Sequence, residues 1–222
     1  MKISIIIATY NRPEMLEARM KELEKQTFQD FEIIVVDDHS DTPVEGYLPA
    51  GASYTRLHKN TGCCTIPRNI GITQATGEYI CPTDDDVGML PNKLEMLTKA
   101  LDDNPRASMA YGNRYTERDS VRELTAITSW NPYRGPGIDN GQMMYRRSCY
   151  DKIPLIFCTR ACDWELAKEL RKCGPFIHVP EPVSIYYWHG GNRSLDPSTK
   201  TRPIQLDEFR QLFPPQFKLK EV

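Results

Sequence analysis

The chain has 222 residues, 40% of them hydrophobic and 26% charged, which is the balance of a globular domain and excludes a disordered or fibrous chain. Its formal net charge of -2 provides no overall basic field for holding nucleic acid or an anionic membrane. We expect neither a secretory signal peptide nor a transmembrane helix, because no apolar run approaches the required length of about 18 residues.

The first hundred residues alternate apolar strands with amphipathic helices. Segment 3–8 is a continuous β-branched run, typical of a strand buried on both faces. Pro13 can open a helix that carries Leu16, Met20 and Leu23 on one face. Strands then follow at 31–36, 54–58 and 78–81, with helices at 67–75 and from 91 to 104. This alternation predicts βαβ units and a largely parallel sheet.

The second half has a different pattern. Strands are predicted at 108–115, 121–127, 142–147 and 183–188, with a helix at 163–173 and a Gly/Pro-rich stretch at 131–141. No linker or repeat interrupts the chain, so we predict one α/β domain. Its halves would be 1–105, of nucleotide-binding type, and 106–195, of mixed character, followed by a tail at 196–222.

The seven cysteines do not form the paired C-x-x-C motifs that hold zinc. Their odd number favours reduced thiols over a disulfide framework. We therefore predict a cytoplasmic protein without zinc, and leave peripheral attachment to a membrane open.

Polar clusters follow three successive strands of the predicted sheet: 9–12 (TYNR), 37–41 (DDHSD) and 84–86 (DDD). Such residues are common in turns and helix caps, which is the ordinary explanation of any one cluster. Ligands of open parallel sheets, however, bind beyond the carboxyl ends of the strands. Three clusters at three such ends favour a ligand site.

The chemistry of this edge is that of carboxylates and a bound cation. The two commonest glycine-rich phosphate loops are absent from the sequence. Phosphate charge would then be met by a metal, helped by Arg12 or Arg68. Carboxylate oxygens suit the hard ions Mg²⁺ and Mn²⁺.

Ordered motifs across residues 3–95 resemble the family 2 glycosyltransferases, and they are specific as a set. The motifs are IIIATYNR at 5–12, QTF at 26–28 with FEIIVVDD at 31–38, NTG at 60–62 with RNIGI at 68–72, ATGEYI at 75–80 and D-x-D at 84–86. Beyond residue 100 the likeness is limited to CDWEL at 162–166 and the terminal His189-x-x-x-x-Ser194. The resemblance implies the GT-A type of fold, a mixed and mainly parallel sheet flanked by helices.

The resemblance also implies roles for individual positions on the donor side. Thr9, Tyr10 and Asp38 correspond to positions around the base and ribose, and Arg68 to an Arg near the nucleotide. Asp84 and Asp86 match the D-x-D pair, with Asp86 the direct metal ligand and Asp84 nearer the ribose and sugar.

Two further positions complete the implied site. Asp163 corresponds to the catalytic base that opens a helix beside the acceptor. His189 falls where some members close a loop residue onto the metal or diphosphate.

Asp85 stands between the two residues of the D-x-D pair. Alternate residues of a strand face one side, so Asp84 and Asp86 would converge on a cation while Asp85 points away. Asp85 would then brace the loop or contact the sugar.

The implied reaction is metal-dependent, inverting glycosyl transfer from a nucleotide-diphosphate sugar, with a uridine donor favoured by family habit. One carboxylate takes the proton of the acceptor hydroxyl, and the cation (Mn²⁺ or Mg²⁺) neutralises the leaving diphosphate. One base with a metal pair differs from the two facing carboxylates of glycoside hydrolysis.

Each assignment has a simpler alternative. Asp163 could serve as the N-cap of its helix and have no catalytic role. Cys162 stands where Glu usually precedes that Asp in the family, and Glu165 is a substitute base. His189, Arg68 and Arg193 could be surface or packed residues instead of ligand contacts. Trp130 and Tyr133 could stack on an acceptor sugar, although ordinary packing is the simpler reading.

Two other functions remain open at this point. A sugar-nucleotide nucleotidyltransferase shares the architecture, but its Gly-rich loop after the first strand is missing. A non-catalytic nucleotide-sugar-binding protein would be expected to lose the aspartates, which are present. The acceptor could be a carbohydrate, glycolipid or glycoprotein, and the net charge disfavours nucleic acid. The oligomeric state cannot be read from the sequence.

Overall fold

A computed structural model describes residues 1–126, 137–150, 152–153 and 162–188 of the chain. The strands in chain order are β1 (Ile3–Thr9), β2 (Phe31–Asp37), β3 (Ser53–Arg56), β4 (Tyr79–Asp84), β5 (Val87–Met89), β6 (Met109–Arg118), β7 (Val121–Thr125), β8 (Met143–Arg146) and β9 (Phe176–Tyr187). The helices are α1 (Pro13–Leu23), α2 (Thr65–Gln74), α3 (Lys93–Asp102), α4 (Arg147–Tyr150) and α5 (Cys162–Cys173).

All the strands join one mixed sheet in the order β3-β2-β1-β4-β8-β6-β9-β5, with β7 paired to β6. Strands β1 to β4 are parallel neighbours, whereas β8 runs antiparallel to β4 and β6. Helices flank the sheet, which confirms the predicted α/β fold class. The predicted boundaries at residues 105 and 195 stay a prediction.

Strand β1 lies at the centre of the parallel half, and every one of its residues is buried. Its period-2 alternation sends Ile5 to one face, in a cluster with Leu16 and Leu94 of α1 and α3. It sends Ile6 to the other face, against Ile70 of α2. The continuous apolar run therefore serves two cores at once.

Strand register brings the three polar clusters together at one edge. Thr9 at the end of β1 is paired with Asp37 of β2, and Ala8 is paired with Asp84 of β4. The predicted convergence of the three strand ends is therefore confirmed.

The second half contains the main differences from the predicted elements. Strand β9 begins at Phe176 rather than at 183, because Pro180 and Pro182 interrupt the apolar pattern while the backbone continues along β6 through register shifts. Strand β5 and helix α4 were not predicted, since three or four residues are too few to show a period. The Gly/Pro-rich stretch up to residue 136 and the tail lie outside the described residues.

In the described part of the chain, no helix combines the length and apolar character needed to cross a bilayer.

Gly77 closes the contact between the start of β4 and β1. A Cβ atom there would lie 2.6 Å from the Ser4 nitrogen and 2.7 Å from the Ile3 carbonyl carbon, which are backbone atoms of the central strand. We therefore expect Gly77→Ala to lower the free energy of unfolding by about 3 kcal/mol. Urea denaturation followed by circular dichroism measures this change.

Gly46→Ala is the matched control, because no atom lies within 4 Å of a Cβ atom at Gly46. Its free energy of unfolding should stay within about 0.5 kcal/mol of the wild type. Equal stabilities for the two variants would contradict the close packing inferred at Gly77.

Candidate active site

The loops after β1 and β2 hold each other in place. The Asn11 backbone N–H donates to Ser40 Oγ at 2.9 Å, and the Asp41 N–H donates to Asn11 Oδ1 at 2.7 Å. Asn11 has a φ of 52°, a left-handed conformation that Asn tolerates better than most residues. These bonds fix the path of the chain at the edge of the sheet.

The two aspartates that end β2 have different roles. Asp37 is fully buried and accepts hydrogen bonds from the Ser40 N–H and the Tyr54 hydroxyl, both at 2.8 Å, which is a structural arrangement. Asp38 accepts from the Thr61 N–H at 2.9 Å and from Asn60 Nδ2 at 3.2 Å. Asp38 therefore orders the loop before α2 while it lines the cleft described below.

Asp85 and Asp86 meet at a single guanidinium group. Arg12 Nη1 donates to Asp85 Oδ1 at 2.9 Å and to Asp86 Oδ2 at 2.8 Å. Thr9 Oγ1 donates to Asp85 Oδ2 at 2.8 Å. Burial raises the pKa of Asp85 to about 6, although Arg12 opposes that shift.

This arrangement differs from the predicted alternation, in which Asp85 points away from its neighbours. Asp85 shares Arg12 with Asp86, whereas Asp84 pairs with a different arginine. The reason is local, because β4 ends at Asp84 and residues 85–86 form the turn into β5. Side chains alternate only along an extended strand. Asp85 is only 3% exposed and ties the turn to Thr9 and Arg12.

Arg68 on α2 is buried and reaches both halves of the sheet. Its Nη2 donates to Asp84 Oδ1 at 2.5 Å, and its Nη1 lies 3.5 Å from Cys162 Sγ and 3.9 Å from Asp163 Oδ1. With an exposed fraction of 4%, it is not the helix-surface arginine that was the alternative. Whether it contacts a nucleotide stays a prediction.

Asp163 lies in the first turn of α5 with one of its oxygens held. Asn140 Nδ2 and Cys162 Sγ both donate to Oδ1, the thiol at 3.2 Å. The hydrogen bonds and the ion pair that reach Asp163 from the described residues all end on Oδ1. Burial raises the pKa of Asp163 to about 6, against the effect of Arg68.

The strand ends surround a cleft of about 250 Å³. The predicted residues in its wall are Thr9, Tyr10, Arg12, Asp38, Asp84, Asp85 and Asp86. Tyr10 is 42% exposed and presents an aromatic ring at this wall. Asp163 is linked to the cleft through Arg68 and Asp84 rather than lying in its wall.

The acidic residues fit an open divalent-cation site rather than a closed one. Asp84 and Asp86 offer partly exposed carboxylates, with 31% and 17% of their side chains accessible. Within the described ranges, no three His, Cys, Asp or Glu side chains gather closely enough to hold a metal alone. Mg²⁺ is typically bound by one or two carboxylates with waters and substrate phosphates, which is the ligand set available here.

The other predicted or alternative residues lie on the surface or outside the described residues. Glu165 is 39% exposed and pairs with Lys168 at 2.7 Å on the surface of α5. His189, Arg193, Trp130 and Tyr133 lie outside the described residues.

Sequence reasoning missed three residues that shape the site: Asn140, Asn60 and Cys64. Asn140 is fully buried and lies in a stretch whose glycines and prolines suggested only a loop. Asn60 was quoted only as part of a motif, and its bond to Asp38 joins residues 22 positions apart. No local pattern marks either contact.

The fold is of the α/β type with an acidic cleft at the strand ends, and comparison with known proteins identifies the family. Residues 4–162 match glycosyl transferase family 2, and the chain belongs to that family. An uncharacterized glycosyltransferase of Bacillus subtilis, YwdF, is 35% identical over 218 residues, covering 91% of this chain and 81% of the relative. The protein is therefore a glycosyltransferase, which removes the non-catalytic binding protein and the nucleotidyltransferase as alternatives.

Solved structures support the same fold. Staphylococcus aureus TarS 1-349 in complex with UDP-GlcNAc matches with a TM-score of 0.73 and 19% identity, over 88% of this chain and 61% of that chain. The mannosyltransferase PcManGT from Pyrobaculum calidifontis, in complex with GDP-Man and Mn²⁺, matches with a TM-score of 0.63 and 16% identity. That match covers 86% of this chain and 58% of PcManGT.

Proposed function

We propose that this glycosyltransferase moves a sugar from a nucleotide-diphosphate donor to an acceptor hydroxyl, with inversion and with the help of a divalent cation. The observation that carries the proposal is the buried Arg68, which joins the donor-side carboxylate Asp84 to the candidate base Asp163. This contact would set a proton acceptor beside the cleft in which a nucleotide would bind.

The donor nucleotide would occupy the cleft at the strand ends. Tyr10 offers a ring for stacking on a base, and Asp38 offers a carboxylate for ribose hydroxyl groups. We favour a uridine donor, because the structural match with TarS is to a complex with UDP-GlcNAc. Arg12 would meet phosphate oxygens from the same wall.

The cation would be held by Asp86, with Asp84 beside it. Mn²⁺ is the ion present with GDP-Man in PcManGT, and Mg²⁺ has the same preference for oxygen ligands. When bound, such an ion supplies Lewis-acid stabilisation of the charge that grows on the diphosphate. Arg12 now pairs with Asp86 and would be released toward the phosphates when the ion binds.

Asp163 would act as the general base. Its Oδ1 is fixed by Asn140 and Cys162, so Oδ2 can accept the proton of the acceptor hydroxyl as that oxygen attacks the anomeric carbon. A single displacement of this kind inverts the configuration and needs no protein nucleophile. The acceptor would be a carbohydrate, glycolipid or glycoprotein that presents a free hydroxyl.

Replacing the base tests the mechanism directly. We expect Asp163→Asn to lower the rate of sugar transfer by a factor of about 10² to 10⁴, because the amide cannot accept the proton. Donor affinity should change little, since Asp163 is not in the cleft wall. Turnover is measured by nucleotide release in a screen of UDP- and GDP-sugars, and affinity by calorimetry.

Glu165→Gln is the matched control on the same helix, because Glu165 points to a surface pair with Lys168. This variant should keep the wild-type rate. A large loss in Glu165→Gln with full activity in Asp163→Asn would move the base to Glu165 and contradict the proposal.

The pH dependence should follow the ionisation of Asp163. Its pKa is raised to about 6, chiefly by burial; Arg68 opposes the shift, Asp84 and Asp139 add to it, and the Cys162 thiol opposes it. The protonated acid cannot accept a proton, so the rate should fall about tenfold per pH unit below pH 6 and level off above it. A rate profile from pH 5 to 8 measures this.

The residual activity of Asp163→Asn should lack this acid limb. A limb near pH 6 in that variant would assign the titration to another group, such as Asp85, and would count against Asp163.

Removal of the metal tests the cation site. Treatment with a chelator should abolish turnover, and added Mn²⁺ or Mg²⁺ should restore it. Asp86→Ala should need a Mn²⁺ concentration at least tenfold higher for half-maximal rate, because it loses the proposed direct ligand. Asp103→Asn, an exposed carboxylate at the end of α3, should titrate like the wild type. Full activity of Asp86→Ala in chelator would refute the metal assignment.

A further inference from the structure

Two thiols far apart in the sequence meet beside the candidate base. Cys64 is the residue before α2 and Cys162 is the first residue of α5, and their Sγ atoms are 3.8 Å apart across 98 residues of chain. Neither takes part in a disulfide, and both are half-buried. The pair therefore links the starts of two helices that come from opposite halves of the sheet.

The pair also joins the cleft to Asp163. Cys64 is part of the cleft wall, while Cys162 donates from its thiol to Asp163 Oδ1 at 3.2 Å. Arg68 Nη1 lies 3.5 Å from Cys162 Sγ. Any chemical change of these sulfur atoms would alter groups that hold the base.

We propose that Cys64 and Cys162 form an oxidation site whose reagent is a low-molecular-weight disulfide, and that the resulting protein disulfide lowers glycosyl transfer. The second part rests on the proposed function, while the first concerns the thiols alone.

The reaction is two successive thiol–disulfide exchanges. The Cys64 thiolate attacks one sulfur of the reagent, breaks its S–S bond and releases one small thiolate. The Cys162 thiolate then attacks the Cys64 sulfur of the mixed disulfide and releases the second. The two small thiolates take up the two protons lost by the cysteines, so the protein is oxidised by two electrons and the reagent is reduced to two thiols.

The positions of the two residues permit the bond. A disulfide requires an S–S distance of about 2.0 Å, so the sulfur atoms must approach by less than 2 Å from their present contact. Arg68 Nη1 lies 3.5 Å from Cys162 Sγ, so a positive charge stands beside the second attacking sulfur. Cys64 is reached from the cleft, where a small reagent can enter.

Oxidation would change the site in two ways. Cys162 would lose its S–H and could no longer donate to Asp163 Oδ1, which removes one of the bonds that orient the carboxylate. The new bond would also tie α2 to α5, so that Arg68 and Asp163 could not shift relative to each other. Both effects act on the candidate base.

The test uses the full chain incubated with oxidised glutathione and digested with trypsin under non-reducing conditions. Cys64 falls in the peptide 60–68 and Cys162 in the peptide 161–168, so the predicted bond gives one linked species by mass spectrometry. The pKa of Cys64 is raised, first by its hydrogen bond to Cys162, then by burial and by the charge of Cys162. Arg68 opposes this rise, and Asp84 adds to it. Linking should therefore be faster at pH 8.5 than at pH 7.

Variants identify the bond. Peptide 60–68 also holds Cys63, so Cys63→Ser should still form the linked species and Cys64→Ser should not. Cys173→Ser is the control away from the site, where Cys173 Sγ contacts the Cys149 carbonyl at 4.0 Å. It should keep both its basal activity and its response to the oxidant.

Activity of the same samples tests the regulatory part. The linked wild type should transfer sugar at least tenfold more slowly, and dithiothreitol should restore the rate, while each Cys variant is compared with its own reduced form. Absence of the linked peptides from an active enzyme would overturn the inference, and full activity in the linked enzyme would overturn its regulatory part. A reduced protein that turns over no donor would count against the proposed function and this regulatory part, while mass spectrometry would still decide the thiol pair.

Discussion

Three adjacent carboxylates at the end of β4 are held by two guanidinium groups that come from different parts of the chain. Arg12, in the loop after β1, pairs with Asp85 and Asp86, and Arg68, on α2, pairs with Asp84. Neighbouring like charges repel, and burial of an unpaired charge is costly, so the acidic turn depends on both arginines. That pairing therefore ties the loop after β1 and helix α2 to the turn after β4.

As a consequence, the three adjacent residues Asp84, Asp85 and Asp86 have different surroundings in the site. Asp85 stabilises the fold, because Thr9 donates to one of its carboxylate oxygens and Arg12 donates to the other. Asp84 and Asp86 keep part of their surface in the cleft. The residue between the two exposed carboxylates therefore supports the turn that presents them.

The convergence of strand ends could be predicted from the sequence because it depends on two local signals. A continuous β-branched run marks a strand buried on both faces, and strand–helix alternation makes such strands parallel. Together they require that the polar residues after β1, β2 and β4 share one edge. The orientation of Asp85 could not be predicted in this way, since the chain leaves the extended conformation at that residue.

The contacts around Asp163 lay beyond sequence reasoning for a different reason. Asn140 contacts Asp163 from 23 positions away and Cys64 contacts Cys162 from 98 positions away, while Leu166 and Leu170 of α5 share a buried cluster with residues of α2. Contacts between residues so far apart leave no periodic pattern in either segment. The family resemblance pointed to Asp163, whereas its contacts with Asn140 and Cys162 are identified only in the folded structure.

Arg68 links Asp84 at the end of β4 to Asp163 on α5. A guanidinium is a rigid planar fork whose two terminal nitrogens can serve separate acceptors in fixed directions. Nη2 is directed to Asp84, and Nη1 to Cys162 and Asp163. A lysine at this position would offer one point charge on a flexible stem and could not hold both sides at once. Asp84 and Asp163 are thus held by the same side chain, so the positions of the two carboxylates depend on each other.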